Sequence, residues 1–124
     1  MTVLIIDKNN IVRERVAGLL SRLDNVTHVT QGKSCDNLLE FLSLTNPDCL
    51  LIEHAQYQDA LHPDLERFLE KRSDINVCVY VEDSDWEALG NEELSGAAKM
   101  LSFSELIEYV QACAESLKRK QAAG

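Results

Sequence analysis

Short, uninterrupted apolar runs alternate along this chain with stretches in which apolar residues recur every three or four positions. Val3-Leu4-Ile5-Ile6 is closed by Asp7-Lys8-Asn9-Asn10, the pattern of a strand buried on both faces and ended by turn formers. Val12, Val16, Leu19, Leu20 and Leu23 then repeat at helical spacing, with Asn10 placed to cap the start and the arginines and Glu14 on the other face. Val26 to Thr30 predicts a short strand. Ser34 or Asp36 can open a helix whose apolar side is Leu38, Leu39, Phe41 and Leu42, and Asn46-Pro47 stops it. Cys49-Leu50-Leu51-Ile52 is a second fully apolar run that also ends in an acid, Glu53.

Residues His54 to His62 hold no clear period, and Pro63 suits the first turn of a helix carrying Leu65, Phe68 and Leu69. Val77-Cys78-Val79-Tyr80-Val81 is a third apolar strand, ending at Glu82-Asp83. Ser84-x-x-Glu87 can form a capping box for a weak helix through Trp86 and Leu89, which Gly90 should shorten. Ala97 to Leu101, with Met100, predicts a short fifth strand. Leu106, Val110, Cys113 and Leu117 then mark a long final helix behind a Ser102-x-x-Glu105 box or a Ser104 cap. Strand signals alternating with helix signals imply right-handed crossovers and a mostly parallel sheet covered on both faces. Chemistry in such a sheet sits outside the carboxyl ends of the strands, which directs attention to Asp7, Lys8, Glu53, Val81, Glu82 and Ser102.

Composition narrows the picture further. At 124 residues, 45% hydrophobic, the chain suffices for one core, so a single domain over residues 1–120 is expected, with 121–124 a frayed end or the start of a linker. The formal charge of -9 opposes binding of nucleic acid or an anionic membrane by this domain. The cluster Lys118, Arg119 and Lys120 suits the negative end of a helix dipole. Cys35, Cys49, Cys78 and Cys113 are scattered singly without the C-x-x-C spacing of a zinc or redox site, and read as small buried hydrophobes in a reducing compartment. No apolar run approaches a membrane span, and the first residues lack a basic leader, so a cytoplasmic location is expected.

Several enzyme classes lack their chemistry here. His28, His54 and His62 show no metal-ligand spacing, and His54 is expected only to line a rim. No G-x-S-x-G elbow, P-loop or G-x-G-x-x-G occurs, and Lys8-Asn9-Asn10 has no glycine to bring backbone amides to a phosphate. No enzymatic activity is expected.

With these residues in order, the chain resembles the CheY-like receiver domain of bacterial response regulators. Val3-Leu4-Ile5-Ile6-Asp7-Lys8-Asn9 with Arg13-Glu14 resembles that family's first strand, acidic pair and first helix. Pro47-Asp48-Cys49-Leu50-Leu51-Ile52-Glu53 resembles the strand ending in the phosphorylated aspartate. Ile75 to Val81 resembles the fourth strand, and Gly96-Ala97 the pair before the fifth. The resemblance implies an α/β flavodoxin-like (βα)5 fold, a doubly wound parallel five-stranded sheet in the order 2-1-3-4-5.

The active residues of that family are altered. Two adjacent acids and the acceptor aspartate would hold Mg²⁺, a Thr or Ser would end the fourth strand, and a Lys the fifth. Here Lys8 replaces the second acid, Glu53 stands at the phospho-acceptor position, Val81 replaces the hydroxyl, Glu82 intrudes and Ser102 occupies the shortened loop where Lys-Pro is usual. The family pocket sums to about -2 before the metal binds, whereas Asp7, Glu53 and Lys8 sum to about -1. Mg²⁺ is expected to bind weakly or not at all, no metal or other cofactor is expected, and Lys8 can pair with Glu53 in its place, with Glu82 a competing partner. Glutamate also exceeds aspartate by about 1.5 Å of chain, which displaces its carboxylate from the acceptor position.

The function these changes imply is a phosphorylation-independent protein-interaction module with a degenerate pocket. The alternative is a receiver still phosphorylated on Glu53 or another acid with non-standard metal use; a flavodoxin-like FMN protein is a weaker third reading. The expected partner is a protein of a signalling pathway, with a possible homodimer through the fourth helix, fifth strand and fifth helix. Trp86, Leu89, Met100, Leu106 and Val110 are the candidate interface, because Trp is enriched at binding hot spots.

Overall fold

The apolar runs become the strands of one sheet. In the computed structural model, which describes residues 1–60, 62–89 and 98–123, β1 (Thr2–Ile6), β2 (His28–Gly32), β3 (Cys49–Glu53), β4 (Asn76–Val81) and β5 (Lys99–Ser102) are parallel, in the order β2-β1-β3-β4-β5. The connecting helices are α1 (Asn10–Leu20), α2 (Leu38–Thr45), α3 (His54–Ala60), α4 (Pro63–Lys71), α5 (Trp86–Leu89) and α6 (Leu106–Ala123). The doubly wound, flavodoxin-like topology expected from the sequence is therefore the one observed.

Because successive strand residues face opposite sides, each run divides between two cores. Val3, Ile5, Cys49, Leu51, Cys78 and Tyr80 pack with Val16 and Leu20 of α1 and Leu106, Val110 and Ala114 of α6. Leu4, Ile6, Leu50, Ile52, Val77 and Val79 pack with Leu38 and Leu42 of α2, Tyr57 of α3 and Leu65 of α4. No described helix is long and apolar enough to cross a membrane.

The differences from expectation follow from polar groups. Asn9, not Asn10, caps α1, its Oδ1 accepting from the amides of Ile11 and Val12, both at 3.1 Å. The buried stripe of α1 is Arg13, Val16, Ala17 and Leu20, so one arginine faces inward, while Leu19 is exposed. β2 begins at His28, two residues after the predicted start, because Val26 is held in a turn by its amide bond to the Leu23 carbonyl at 3.1 Å. Ser34 caps the Asp36 amide at 3.0 Å rather than opening α2, which starts after Asn37 in the left-handed region (φ 59). Gly32 ends β2 where a Cβ would overlap the Ile6 side chain.

The stretch without apolar period contains α3, whose buried side chains His54, Gln56 and Tyr57 are mostly polar and so escape a hydrophobic pattern. The β3–β4 connection thus carries two helices, and the expected fourth and fifth helices are α5 and α6. The Ser84 capping box is not formed: Ser84 lies inside a 3-10 turn (Asp83–Asp85) whose cap, Glu82, makes no side-chain capping bond. Gly90, Gly96 and Ala97 lie outside the described residues. Before α6, Ser102 donates to Glu105 Oε1 at 2.7 Å instead of capping a backbone amide. α6 runs to Ala123. Leu106 and Val110, expected at an interface, are 1% and 0% exposed and belong to the core, because the period that marks them is the core-facing stripe of α6. Cys49 and Cys78 are buried as expected, whereas Cys35 and Cys113 are only half-buried.

Candidate functional site

At the carboxyl edge of the sheet lies a cleft of about 510 Å³ whose walls include Asp7, Lys8, Glu53, Val81 and Glu82. Parallel strands bring their ends to one edge, and β1, β3 and β4 are neighbours in register, Ile6 beside Ile52 and Glu53 beside Tyr80. Ser102 is not among the lining residues: its hydroxyl turns to Glu105 and Ser104, and Phe103 faces the cleft instead. Asp59 and Asp85 also line it, so the walls carry five carboxylates and one ammonium, a more acidic surface than the strand ends alone suggest.

Asp7 is buried (5% exposed) and held at every polar atom. Its Oδ1 accepts the Asn9 amide at 2.9 Å and its Oδ2 accepts the Tyr80 hydroxyl at 2.6 Å. Its amide donates to the Gly32 carbonyl at 3.1 Å, and its own carbonyl accepts from the buried Arg13 guanidinium at 2.9 Å. Arg13 Nε in turn donates to Gln31 Oε1 at 3.1 Å, tying β1, α1 and β2 together. Burial, followed by the bond to Asp7 and the Asp7 charge, pushes the Tyr80 phenol far above its ordinary pKa, so it stays a proton donor.

Glu53 takes a different role. It is half-buried, and its Oε2 accepts the Gln56 amide at 3.1 Å, capping α3, which starts at the next residue. Among the described residues no ion pair joins Lys8 to Glu53 or Glu82, a correction to the expected pairing. The reason is local: the unpaired amides at the start of α3 lie closer along the chain to Glu53 than does the exposed Lys8. Gln56 is 2% exposed and accepts the Cys35 amide at 3.1 Å, fastening the β2–α2 loop to the cleft wall. His54 lines the cleft as a buried residue.

Of the other candidates, Val81 is buried, Glu82 exposed, and Trp86, Leu89 and Met100 half-buried, Leu89 lining the cleft. Tyr80 and Arg13 were not among the sequence candidates. The available signal for Tyr80 was a phenol in an otherwise aliphatic buried strand, since a buried Tyr hydroxyl needs a partner.

No protein-family model and no curated protein matches the chain. Solved structures do. A two-component transcriptional regulator AraC from Clostridium phytofermentans ISDg aligns at a TM-score of 0.68 and 17% identity, covering 100% of this chain and 99% of that one. NtrX from Brucella abortus, in complex with ATP, aligns at 0.71 and 17% identity over 98% of this chain and 28% of that one. The complex of the phosphorylated P1 domain of CheA3 with CheY6 from R. sphaeroides contains a chain aligning at 0.56 and 16% identity, over 90% of this chain and 96% of that one. The chain has the receiver-domain fold of response regulators.

Proposed function

We propose that this chain is a signalling receiver module that acts by contact with a protein partner, without a phosphorylation cycle of its own. The observation that supports this reading is that the carboxylates at the ends of β1 and β3 already serve the protein itself, Asp7 through Tyr80 and Asn9, Glu53 through the start of α3. Receiver folds support phosphoryl transfer by gathering oxygen ligands round a Mg²⁺ ion and gripping the phosphoryl oxygens, which is positioning and charge neutralisation. The residues here do not fit that ion. Lys8 puts an ammonium where a second acid would stand, and among the described residues no group of three or more His, Cys, Asp or Glu side chains is placed to hold a metal. Val81 supplies no hydroxyl at the end of β4.

A protein partner fits the acidic, open cleft and the half-buried Trp86 beside it better than a small anion does, because five carboxylates repel phosphate. The complex of CheY6 with the phosphorylated P1 domain of CheA3 is a precedent for contact between a receiver-fold protein and another protein. Incubating the protein with acetyl phosphate and Mg²⁺, followed by intact-mass analysis, tests the reading. No phosphoryl adduct is expected; an adduct that disappears in Glu53→Gln would return the chain to the phosphorylated receivers.

A further inference from the structure

We propose that Tyr80 is the residue that closes the cleft to cations, by holding the carboxylate oxygen of Asp7 that a metal would need. The inference rests on the receiver reading above and adds to it a specific cause. β1 and β4 are not adjacent, since β3 lies between them. The Tyr80 side chain therefore spans the end of β3 to reach Asp7 Oδ2 at 2.6 Å, joining residues 73 positions apart. Phe103, just beyond β5, meets the Tyr80 ring edge-on with centroids 6.4 Å apart and the planes at 66°, which fixes the ring in that direction.

The sequence alone directs suspicion to Lys8, because its ammonium replaces an acid. The geometry directs it elsewhere. Lys8 is exposed and has no ion-pair partner among the described residues, so its charge is screened by water and can swing away. Tyr80 is 2% exposed and cannot. A cation that approaches Asp7 Oδ2 must either share that oxygen with the phenol, on the one lone pair the phenol leaves, or displace the phenol, and an unsatisfied buried hydroxyl is a lasting cost. Restoring an acid at position 8 leaves that cost in place.

The test measures Mn²⁺ binding, by paramagnetic resonance of the free ion, to wild type and to Lys8→Asp, Tyr80→Phe and Lys8→Asp/Tyr80→Phe. Phenylalanine keeps the ring against Phe103, so the fold should survive, and circular dichroism checks it. Lys8→Asp alone is expected to gain little, and the double variant to bind at least about tenfold more tightly than Lys8→Asp, the equivalent of losing one hydrogen bond to a charged group. Equal binding by Lys8→Asp and the double variant would overturn the role of Tyr80. Should the double variant not fold, Lys8→Asp/Phe103→Leu, which loosens the ring, must show a smaller gain in the same direction, and none would count against the proposal. Phosphoryl labelling of wild type would remove the module reading, whereas equal Mn²⁺ binding by Lys8→Asp and the double variant, with wild type unlabelled, would remove the role of Tyr80 alone, so the two failures are distinguishable.

Discussion

At the amino end of the sheet Asp48 and Thr2 exchange bonds in both directions: the Asp48 amide donates to the Thr2 carbonyl and the Thr2 amide to Asp48 Oδ2, each at 2.9 Å. The Asn76 amide completes the set on the Asp48 carbonyl at 3.0 Å. At the carboxyl end Asp7 is equally satisfied, yet two of its four partners are side chains that arrive from elsewhere, Tyr80 from β4 and Arg13 from α1. An end wired through the backbone of neighbouring strands tolerates change in side chains, because the backbone groups persist. An end wired through side chains can be reset by one or two substitutions. The cleft lies at the second kind of end.

The contrast can be broken most severely through the core that carries both ends. Leu106→Ala should destabilise the fold by about 2–5 kcal/mol in urea unfolding, as fits a fully buried leucine, where an interface residue would leave stability unchanged. Arg13→Ala comes next. It strips the Asp7 carbonyl and Gln31 of their donor and should cost about 1–3 kcal/mol. The matching change at the other end, Asp48→Ala, removes one acceptor at a half-buried position and should cost about 1 kcal/mol. If Asp48→Ala proved the more damaging of the two, the distinction between the ends would fail.

Alkaline pH sharpens the same contrast. Burial, then the neighbouring Cys113 thiol, raises the Cys78 thiol from 9.0 to about 12, and Tyr80 moves upward for the reasons given above. Both pKa values are higher folded than unfolded, so below pH about 9 neither group makes stability depend on pH. Above that, the unfolded chain releases protons that the folded chain retains, and stability falls by up to about 1.4 kcal/mol per pH unit for each group. Cys78→Ala should make the decline between pH 9.0 and about 12 shallower in urea titrations. The smallest effect is expected at Trp86, half-buried on a four-residue helix: Trp86→Ala should move unfolding by less than about 1 kcal/mol while weakening capture of a partner.

The central strands β1, β3 and β4 were legible because each carries a fully apolar run with a polar stop, and three such runs separated by helical periods leave few ways to build a parallel sheet. α3 was not, since the residues it buries include His54 and Gln56, whose polarity hides the helical period. The same reason explains Arg13, a charge placed on the core side of α1 by a carbonyl and an amide that no one-dimensional pattern displays. Leu106 and Val110 were correctly placed on one face and wrongly given to the outside, because period identifies a face without saying what covers it. At the site, Asp7, Lys8, Glu53, Val81 and Glu82 could be gathered from strand ends alone. Their hydrogen-bond partners could not: Tyr80 reaches Asp7 across an intervening strand, and Glu53 is captured by a helix that the pattern did not announce.

The central claim, that the cleft no longer answers to a metal and a phosphoryl group, is tested most directly by following Trp86 fluorescence while adding Mg²⁺ and then beryllofluoride to the wild-type protein. Trp86 adjoins Asp85 of the cleft wall, and Lys8→Asp/Tyr80→Phe serves as the control that its emission reports on the cleft. The account predicts a flat response in wild type beside a metal response in the control. A saturable wild-type response to beryllofluoride that requires Mg²⁺ would contradict it.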